Sequence, residues 1–305
     1  MRGTRTLRNV HERIVQAPAE AVGALVDRLA TPDDALFPTP VWPAMVLDRP
    51  LAVGADGGHG RIRYRVTAHE PGRSVRFDTT GDGLGTGWHR FDVEPLGPGR
   101  CRIAHVLEVT MNAGRFAFFK LAIEPVHDTM VEEIFDNAER AVLGSLPHPP
   151  ARRSRRALLL NRLLWVRPTG VPVPADARLL HGAFERPDFT DAWRIPLAPG
   201  MPGDPRAWRH VLPFTERGAE GNELMLGEDA SHLDFRASIL VDDDSVTLAT
   251  AVRLHSPYGR LHFAVASRVH PYLARRSLRR AHRRVAFAVR PAGERNARAA
   301  VPPSP

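Results

Sequence analysis

The chain has 305 residues, 43% hydrophobic and 25% charged, with a formal net charge of +8. Those proportions exclude a mostly disordered chain, a coiled coil and a collagen-like fibre, and the length suits about two domains. No apolar run approaches the roughly 20 residues of a membrane span, and the basic N-terminus lacks the apolar core of a secretory signal. The one cysteine, Cys101, excludes an intramolecular disulfide framework and a cysteine-based zinc site. The cytoplasm is the compartment these features point to.

The positive charge is arginine, since Lys120 is the only lysine. It is also concentrated. Residues 151–168 carry six arginines and residues 268–290 carry eight, with no acid in either stretch, so the remainder is acidic by six charges. A basic balance raises the question of nucleic acid. Neither stretch has an aromatic platform or a known motif beside its arginines, so no nucleic-acid partner is expected.

Residues 8–16 read as a strand and PAEAVGALVDRL (18–29) as a helix, with Pro18 suited to a first turn. A Pro-rich loop (38–50) follows. Strands are predicted at 61–67, 73–79, 86–94 and 101–110, separated by the turns EPG, GDGLG and PLGPG. Residues 116–144 read as helical, broken near Pro125. Alternation assigns Ile62, Tyr64 and Val66, then Val75 and Phe77, then His89, Phe91 and Val93, then Cys101, Ile103, His105, Leu107 and Val109 to one dry face. The helical stripe Val131, Ile134, Ala138 and Val142 would cover that face, with His127 one turn earlier. Tyr64, His89, His105 and His127 therefore project into an otherwise apolar interior, where polar groups need partners.

Prolines and the first basic run place a linker at 149–175. Beyond it, WRIPL (193–197) reads as a strand and DPRAWRHVL (204–212) as a helix. Strands are predicted at about 222–227, 232–241, 245–254 and 260–268, and a closing helix from His270 to about Val289, with Val269, Leu273 and Leu278 toward the sheet. A two-residue turn at Asp243-Asp244 sets Val241 opposite Val246, Asp234 opposite Arg253 and Arg236 opposite Ala251. Asp234 and Arg253 are expected to form a structural ion pair on a polar face. Residues 291–305 read as a disordered tail.

Four segments carry a family resemblance: VWPAMVLDRPLAVGADGGHGRIRYRV (41–66), EPGRSVRFD (70–78), GWHRFDVEP (87–95), and AHVLEVTM running on to IEPVHDTMVEEIFDNAERAV (104–142). They resemble the START/polyketide-cyclase/birch-pollen-allergen superfamily, the helix-grip or SRPBCC group, over nearly all of residues 8–144. The resemblance implies a curved antiparallel sheet around a long C-terminal helix and an apolar cavity for lipids, polyketides or similar molecules. It implies no shared catalytic residue. The run ELMLGEDASHLDFRASILV (223–241) with residues 247–281 is similar to a bacterial family of unknown function. That family occurs alone or behind epimerase-like dehydrogenase modules and is related to the same helix-grip group. The expected fold class is thus α+β, with two tandem helix-grip domains: 1–148, then the linker 149–175, then 176–290, before the tail 291–305.

Chemistry-bearing motifs are few. GxSxG, Walker-type, HExxH and EF-hand patterns are absent, and GDGLGTG (81–87) lacks dinucleotide spacing and sits between strands. No metal or cofactor is expected. The leading expectation is a hydrophobic small-molecule ligand, lipid or polyketide-like, in a cavity lined by Trp42, Met45, Tyr64, Phe77, His89, Phe91, His105 and His127. Trp42 and Met45 would form a lid, while the histidines and Tyr64 orient a carbonyl or hydroxyl. Two alternatives stand beside it. One is a cyclase or dehydratase acting in the same cavity through His105 or His127. The other is a peripheral membrane or interaction protein whose basic segment 151–168 contacts anionic lipid.

Overall fold

The computed structural model describes residues 3–60, 62–81, 83 and 85–289. They divide into two compact units, one ending at Leu164 and the other comprising Trp165–Val289. The tail expected at 291–305 lies outside the described residues, as do Arg61 and, in the β-turn sequence GDGLG, Asp82 and Leu84.

The first unit is one antiparallel sheet of seven strands in the order β1-β7-β6-β5-β4-β3-β2. β1 is Thr4–Val15, β2 Met45–Leu47, β3 Asp56–His59, β4 Ile62–Glu70, β5 Ser74–Thr79, β6 Thr86–Gly97 and β7 Arg100–Asn112. The strands β2 and β3 were not legible in the sequence, because MVL and DGGH are too short to alternate. Gly57 belongs to β3 for a steric reason: a Cβ there would lie 2.0 Å from the Val46 carbonyl oxygen of β2. The inward residues Tyr64, Val66, Val75, Phe77, Phe91, Val93, Cys101 and Ile103 are all buried, as alternation requires.

Two helical segments pack on this sheet. α1 (Ala19–Val26) starts after Pro18 and buries Val22, Leu25 and Val26. It approaches the β4–β5 turn so closely that a Cβ on Gly23 would meet the Gly72 carbonyl oxygen at 2.1 Å. Asp27 fastens this contact, accepting from the Gly72 N–H at 2.7 Å and lying 2.9 Å from His69 Nε2. After β7, α2 (Ala113–Phe118) is capped by the Asn112 side chain and passes through a π-helical turn, Phe119–Ile123, into α3 (Glu124–Leu143). The irregular turn falls just before Pro125, which cannot donate to the preceding turn. α3 buries Val131, Ile134, Phe135 and Ala138 and ends at Gly144 in the left-handed region (φ 79°). α4 (Arg155–Leu164) closes the unit. It buries Ala157 and Asn161, and Asn161 donates to the Val41 carbonyl at 3.0 Å.

The second unit is a six-stranded antiparallel sheet in the order β10-β11-β12-β13-β9-β8. Its strands are β8 Thr169–Val171, β9 Phe189–Pro196, β10 Thr215–Glu220, β11 Glu223–Ala230, β12 Leu233–Val241 and β13 Ser245–Leu254. The register at the Asp-rich turn is the expected one, with Val241 opposite Val246, Asp234 opposite Arg253 and Arg236 opposite Ala251. One face carries Leu224, Leu226, Ile239, Val246 and Leu248 with Trp165, Trp208 and Leu278. The other face is dry too: Leu240, Ala249 and Ala251 pack with Leu180 of α5 (Arg178–Ala183).

Three sequence expectations are corrected in this unit. Asp234 and Arg253 do not pair. Asp234 lies 2.8 Å from His255 Nε2, while Arg253 donates to the Arg186 carbonyl and stands 4.0 Å from Asp188, because the loop beside β9 offers acceptors on its other side. Residues 260–268 are not a strand. They open α6 (Pro257–Ala288), capped by Ser256 Oγ accepting from the Gly259 N–H at 3.0 Å, with Pro257 in the first turn. β13 is already flanked by β12 and β9, so no sheet edge was open beside it. Of the three α6 residues expected against the sheet, Leu278 is buried there, whereas Val269 and Leu273 are about half exposed.

Candidate functional site

The interior of the first unit holds a row of polar rings. Register explains it. His11 on β1, His105 on β7 and Phe91 on β6 are directly opposed, and on the next rung Leu107, His89 and Phe77 are opposed. His89 and His105 are therefore diagonal neighbours on one face, within reach of each other's side chains. Ring centroids run His11–His127 at 6.0 Å, His127–His105 at 5.1 Å, His105–His89 at 5.5 Å and His89–Tyr64 at 4.9 Å. Phe77 stacks on His89 at 4.8 Å, and Phe91 meets His105 at 4.6 Å. His59, at the end of β3, joins the row 5.8 Å from Tyr64.

Three polar atoms in this row are buried without a partner: Tyr64 Oη, His89 Nε2 and His105 Nδ1. The remaining nitrogens of the two histidines, His105 Nε2 and His89 Nδ1, are 3.4 Å apart. Burial in apolar surroundings lowers the pKa of His89 to about 3 and that of His105 well below the ordinary imidazole range, with neighbouring histidines adding to both shifts. Burial and His127 bring His59 to about 4, and burial pushes the Tyr64 phenol up. The interior histidines His59, His89 and His105 and the phenol are thus neutral at pH 7.

The second unit supplies a contrast. His282 is also buried and also held low, at about 4. Yet its Nδ1 accepts from Trp165 Nε1 at 3.0 Å, and its Nε2 donates to the Pro196 carbonyl at 2.9 Å. Both nitrogens are satisfied, which is how a structural buried histidine is held. His89 and His105 each have one nitrogen left over.

At one end of the row, β1 grips α3 through polar residues that the sequence reading missed. The inward face of β1 reads Leu7, Asn9, His11, Arg13 and Val15. Opposite stand Asp128, Glu132, Asp136 and Glu139, at helical spacing. His11 places Nδ1 at 2.8 Å from Glu132 and Nε2 at 3.2 Å from Asp128. Burial works against its charge, but the hydrogen bonds to Asp128 and Glu132 outweigh burial and lift its pKa to about 9. Arg13 reaches Glu132 at 2.6 Å, Asp136 at 2.6 Å and Glu139 at 2.9 Å. The donor sets His11/His127/Asp128 and Asp136/Glu139/His148 could each gather a cation. Each already borders a cation of the protein's own, the His11 imidazolium in one case and the Arg13 guanidinium in the other.

Of the eight residues expected to line the site, Tyr64, Phe77, His89, Phe91, His105 and His127 come together in this row. Trp42 and Met45 are buried. The Trp42 indole donates to Glu133 at 2.9 Å, and Arg153 holds the same carboxylate at 2.5 Å, so Trp42 is pinned rather than free to swing as a lid. A groove of about 490 Å³ opens elsewhere, at the β2–β3 edge, lined by Val46, Asp48, Asp56, Gly57, Gly58 and Arg63. It touches none of the eight. Its position reflects the short edge strands, and the unpartnered atoms make the histidine row the better candidate.

A seven-stranded antiparallel sheet closed by a long helix, with unpartnered polar groups facing inward from the sheet, defines a helix-grip unit with an apolar, polar-tipped interior. Residues 7–145 match the protein family described as polyketide cyclase / dehydrase and lipid transport. The match falls within the first unit and agrees with the helix-grip resemblance carried by its sequence. No curated protein matches the chain. Among solved structures, norcoclaurine synthase from Thalictrum flavum is 17% identical, covering 47% of this chain and 97% of that one, with a TM-score of 0.37. A Thermobifida fusca protein is 16% identical over 47% of this chain and 97% of that one (TM-score 0.36). CalU16 from Micromonospora echinospora is 13% identical over 53% and 92% (TM-score 0.33).

Proposed function

We propose that the first unit binds an apolar small molecule, lipid or polyketide-like, whose polar end pairs with Tyr64, His89 and His105. The observation that carries this reading is the set of three unpartnered buried atoms, Tyr64 Oη, His89 Nε2 and His105 Nδ1. Leaving each unpaired costs about 1–3 kcal/mol, which a bound partner would recover. The bond between the histidines also sets the ligand's chemistry. If His105 Nε2 donates to His89 Nδ1, His89 Nε2 carries the free proton and His105 Nδ1 the free lone pair. If the donation reverses, so do the two ends. Either way the pair offers one donor and one acceptor, which suits a molecule bearing a hydroxyl and a carbonyl. The rings stand in contact, so the ligand enters by parting the sheet from α3, with Trp42 and Met45 as fixed wall.

The test is to purify the full-length chain gently, denature it, extract it with organic solvent and identify the released compounds by mass spectrometry. A stoichiometric apolar compound, lost in the His89→Leu/His105→Leu variant, supports the reading. The same compound released undiminished from the variant refutes the assigned residues.

A second reading, a cyclase or dehydratase in the same interior, is favoured by the same tautomer exchange. A pair that takes a proton at one end and releases one at the other can act as acid and base on one substrate. His127, with Nδ1 3.4 Å from Asp128, adds a further imidazole beside it. Turnover of the extracted compound that disappears in His105→Ala or His127→Ala distinguishes catalysis from simple binding. In the second unit, a strand, a short helix, four antiparallel strands and a long final helix follow one another between β9 and α6. That order supports reading it as a second helix-grip-like unit.

A further inference from the structure

The closing helix α6 of the second unit has two unlike halves. From Ala274 onward it buries Ala274, Leu278, Ala281, His282 and Ala286. The first half leaves six large apolar residues in solvent: Tyr258 is 65% exposed, Leu261 69%, Val265 62%, Val269 52%, Tyr272 57% and Leu273 52%. At 3.6 residues per turn these six fall within an arc of about 120°, in a single stripe about 22 Å long. Isolated exposed apolar residues are ordinary, but a continuous stripe of six marks a contact surface.

The charge on the helix says what would meet it. Between Pro257 and Ala288 there are eight arginines and no Asp or Glu. Arg276 and Arg280 are exposed and continue the line of the stripe along the helix, and Arg268 is exposed at its border. A nucleic acid would use the arginines and leave Leu261, Val265 and Val269 in water. A layered surface, apolar below and anionic above, satisfies both sets of groups. Tyr258 and Tyr272, near the two ends of the stripe, are the side chains that settle at such a boundary. The helix is not apolar enough to cross a membrane. We infer that the first half of α6 docks on an anionic lipid surface, with Leu261, Val265 and Val269 entering the acyl boundary and Arg268, Arg276 and Arg280 meeting headgroup phosphates.

The test is sedimentation of the full-length protein with large vesicles of phosphatidylcholine, with and without phosphatidylglycerol, at low and high salt. Binding is expected only with phosphatidylglycerol, and it should weaken as salt rises. Arg276→Gln and Arg280→Gln should each reduce it about fivefold. Leu261→Glu/Val265→Glu should abolish it while leaving the circular dichroism spectrum unchanged, since both side chains are exposed. In α4, where Leu159 and Leu164 are also exposed, Leu159→Glu/Leu164→Glu should leave binding intact. Failure to bind phosphatidylglycerol vesicles at low salt overturns the inference. So does binding that survives the α6 pair or vanishes with the α4 pair. A dimer in light scattering that the α6 pair converts to monomer would assign the stripe to a second copy of the chain instead.

Discussion

Replacing His89 and His105 together separates a functional row from a structural one. In His89→Leu/His105→Leu two unpartnered buried nitrogens disappear, each worth about 1–3 kcal/mol of desolvation cost. Against this stand one long hydrogen bond of 3.4 Å, worth about 0.5–1.5 kcal/mol, and the ring contacts with Phe77 and Phe91, worth about 0.5–1.5 kcal/mol each and partly replaced by leucine packing. The balance at neutral pH is a variant between equally stable and about 3 kcal/mol more stable than the parent. The pH dependence has a definite sign. The folded-state pKa of both histidines lies below the unfolded value near 6.5, so the unfolded chain binds more protons as pH falls. Parent stability is complete above about pH 6.5 and is lost below it, by up to about 2 kcal/mol per histidine at pH 5. The variant's advantage should therefore widen by about 2–4 kcal/mol between pH 7.5 and pH 5. Amide hydrogen exchange on the full chain, read in peptides from β6 and β7, isolates the first unit, with peptides from β12 and β13 as an internal reference. A variant less stable by about 2 kcal/mol or more at neutral pH, or an advantage that does not grow on acidification, would refute the reasoning. The histidines would then be packing elements like His282.

Other outcomes follow from the grip between β1 and α3. Arg13→Met removes the guanidinium partner of the nearly buried carboxylates of Asp136 and Glu139 and should cost the first unit about 3–5 kcal/mol, as measured by the same exchange experiment. His11 carries the opposite linkage from the interior histidines. Its folded pKa of about 9 is raised, so its contribution is complete below about pH 6.5 and disappears as pH rises through about 9. Because Asp128 and Glu132 are more than a third exposed, that contribution is screened to about 1–2 kcal/mol, and the stability gap between parent and His11→Leu should close by that amount on alkalinisation. Gly23→Ala drives a Cβ into the Gly72 carbonyl oxygen and should lower thermal stability by about 1–3 kcal/mol, whereas Gly3→Ala, with no atom nearby, should be silent.

Much of this was legible in the sequence. Period-two alternation over β4 to β7 named the dry face correctly, because a strand's side chains alternate regardless of what it pairs with. It thereby assigned Tyr64, His89 and His105 inward. The Asp-rich turn made the β12–β13 register legible because a two-residue turn at Asp243-Asp244 selects one pairing among those that keep each strand's faces matched. The family resemblance over the first unit rested on those strands together with the loop before them and the closing helix. Where local pattern admits two periods, the sequence was ambiguous. GRLHF alternates like a strand and also fits a helix, and what decided it was the Ser256 cap together with a sheet that had no free edge beside β13.

The residues missed were those whose meaning lies in a distant partner. Asn9, His11 and Arg13 look like a wet face of β1 until α3 brings four carboxylates over them. Arg253 looks like a match for Asp234 until the loop at Arg186–Asp188 offers closer acceptors. Along β4 to β7, sequence by itself determined which side chains face inward, since strand alternation sets that once the apolar residues mark one face. Tertiary structure decided which inward polar atoms find partners and which, like His89 Nε2 and His105 Nδ1, do not, because a hydrogen bond requires two groups within about 3 Å that the chain places up to a hundred or more residues apart.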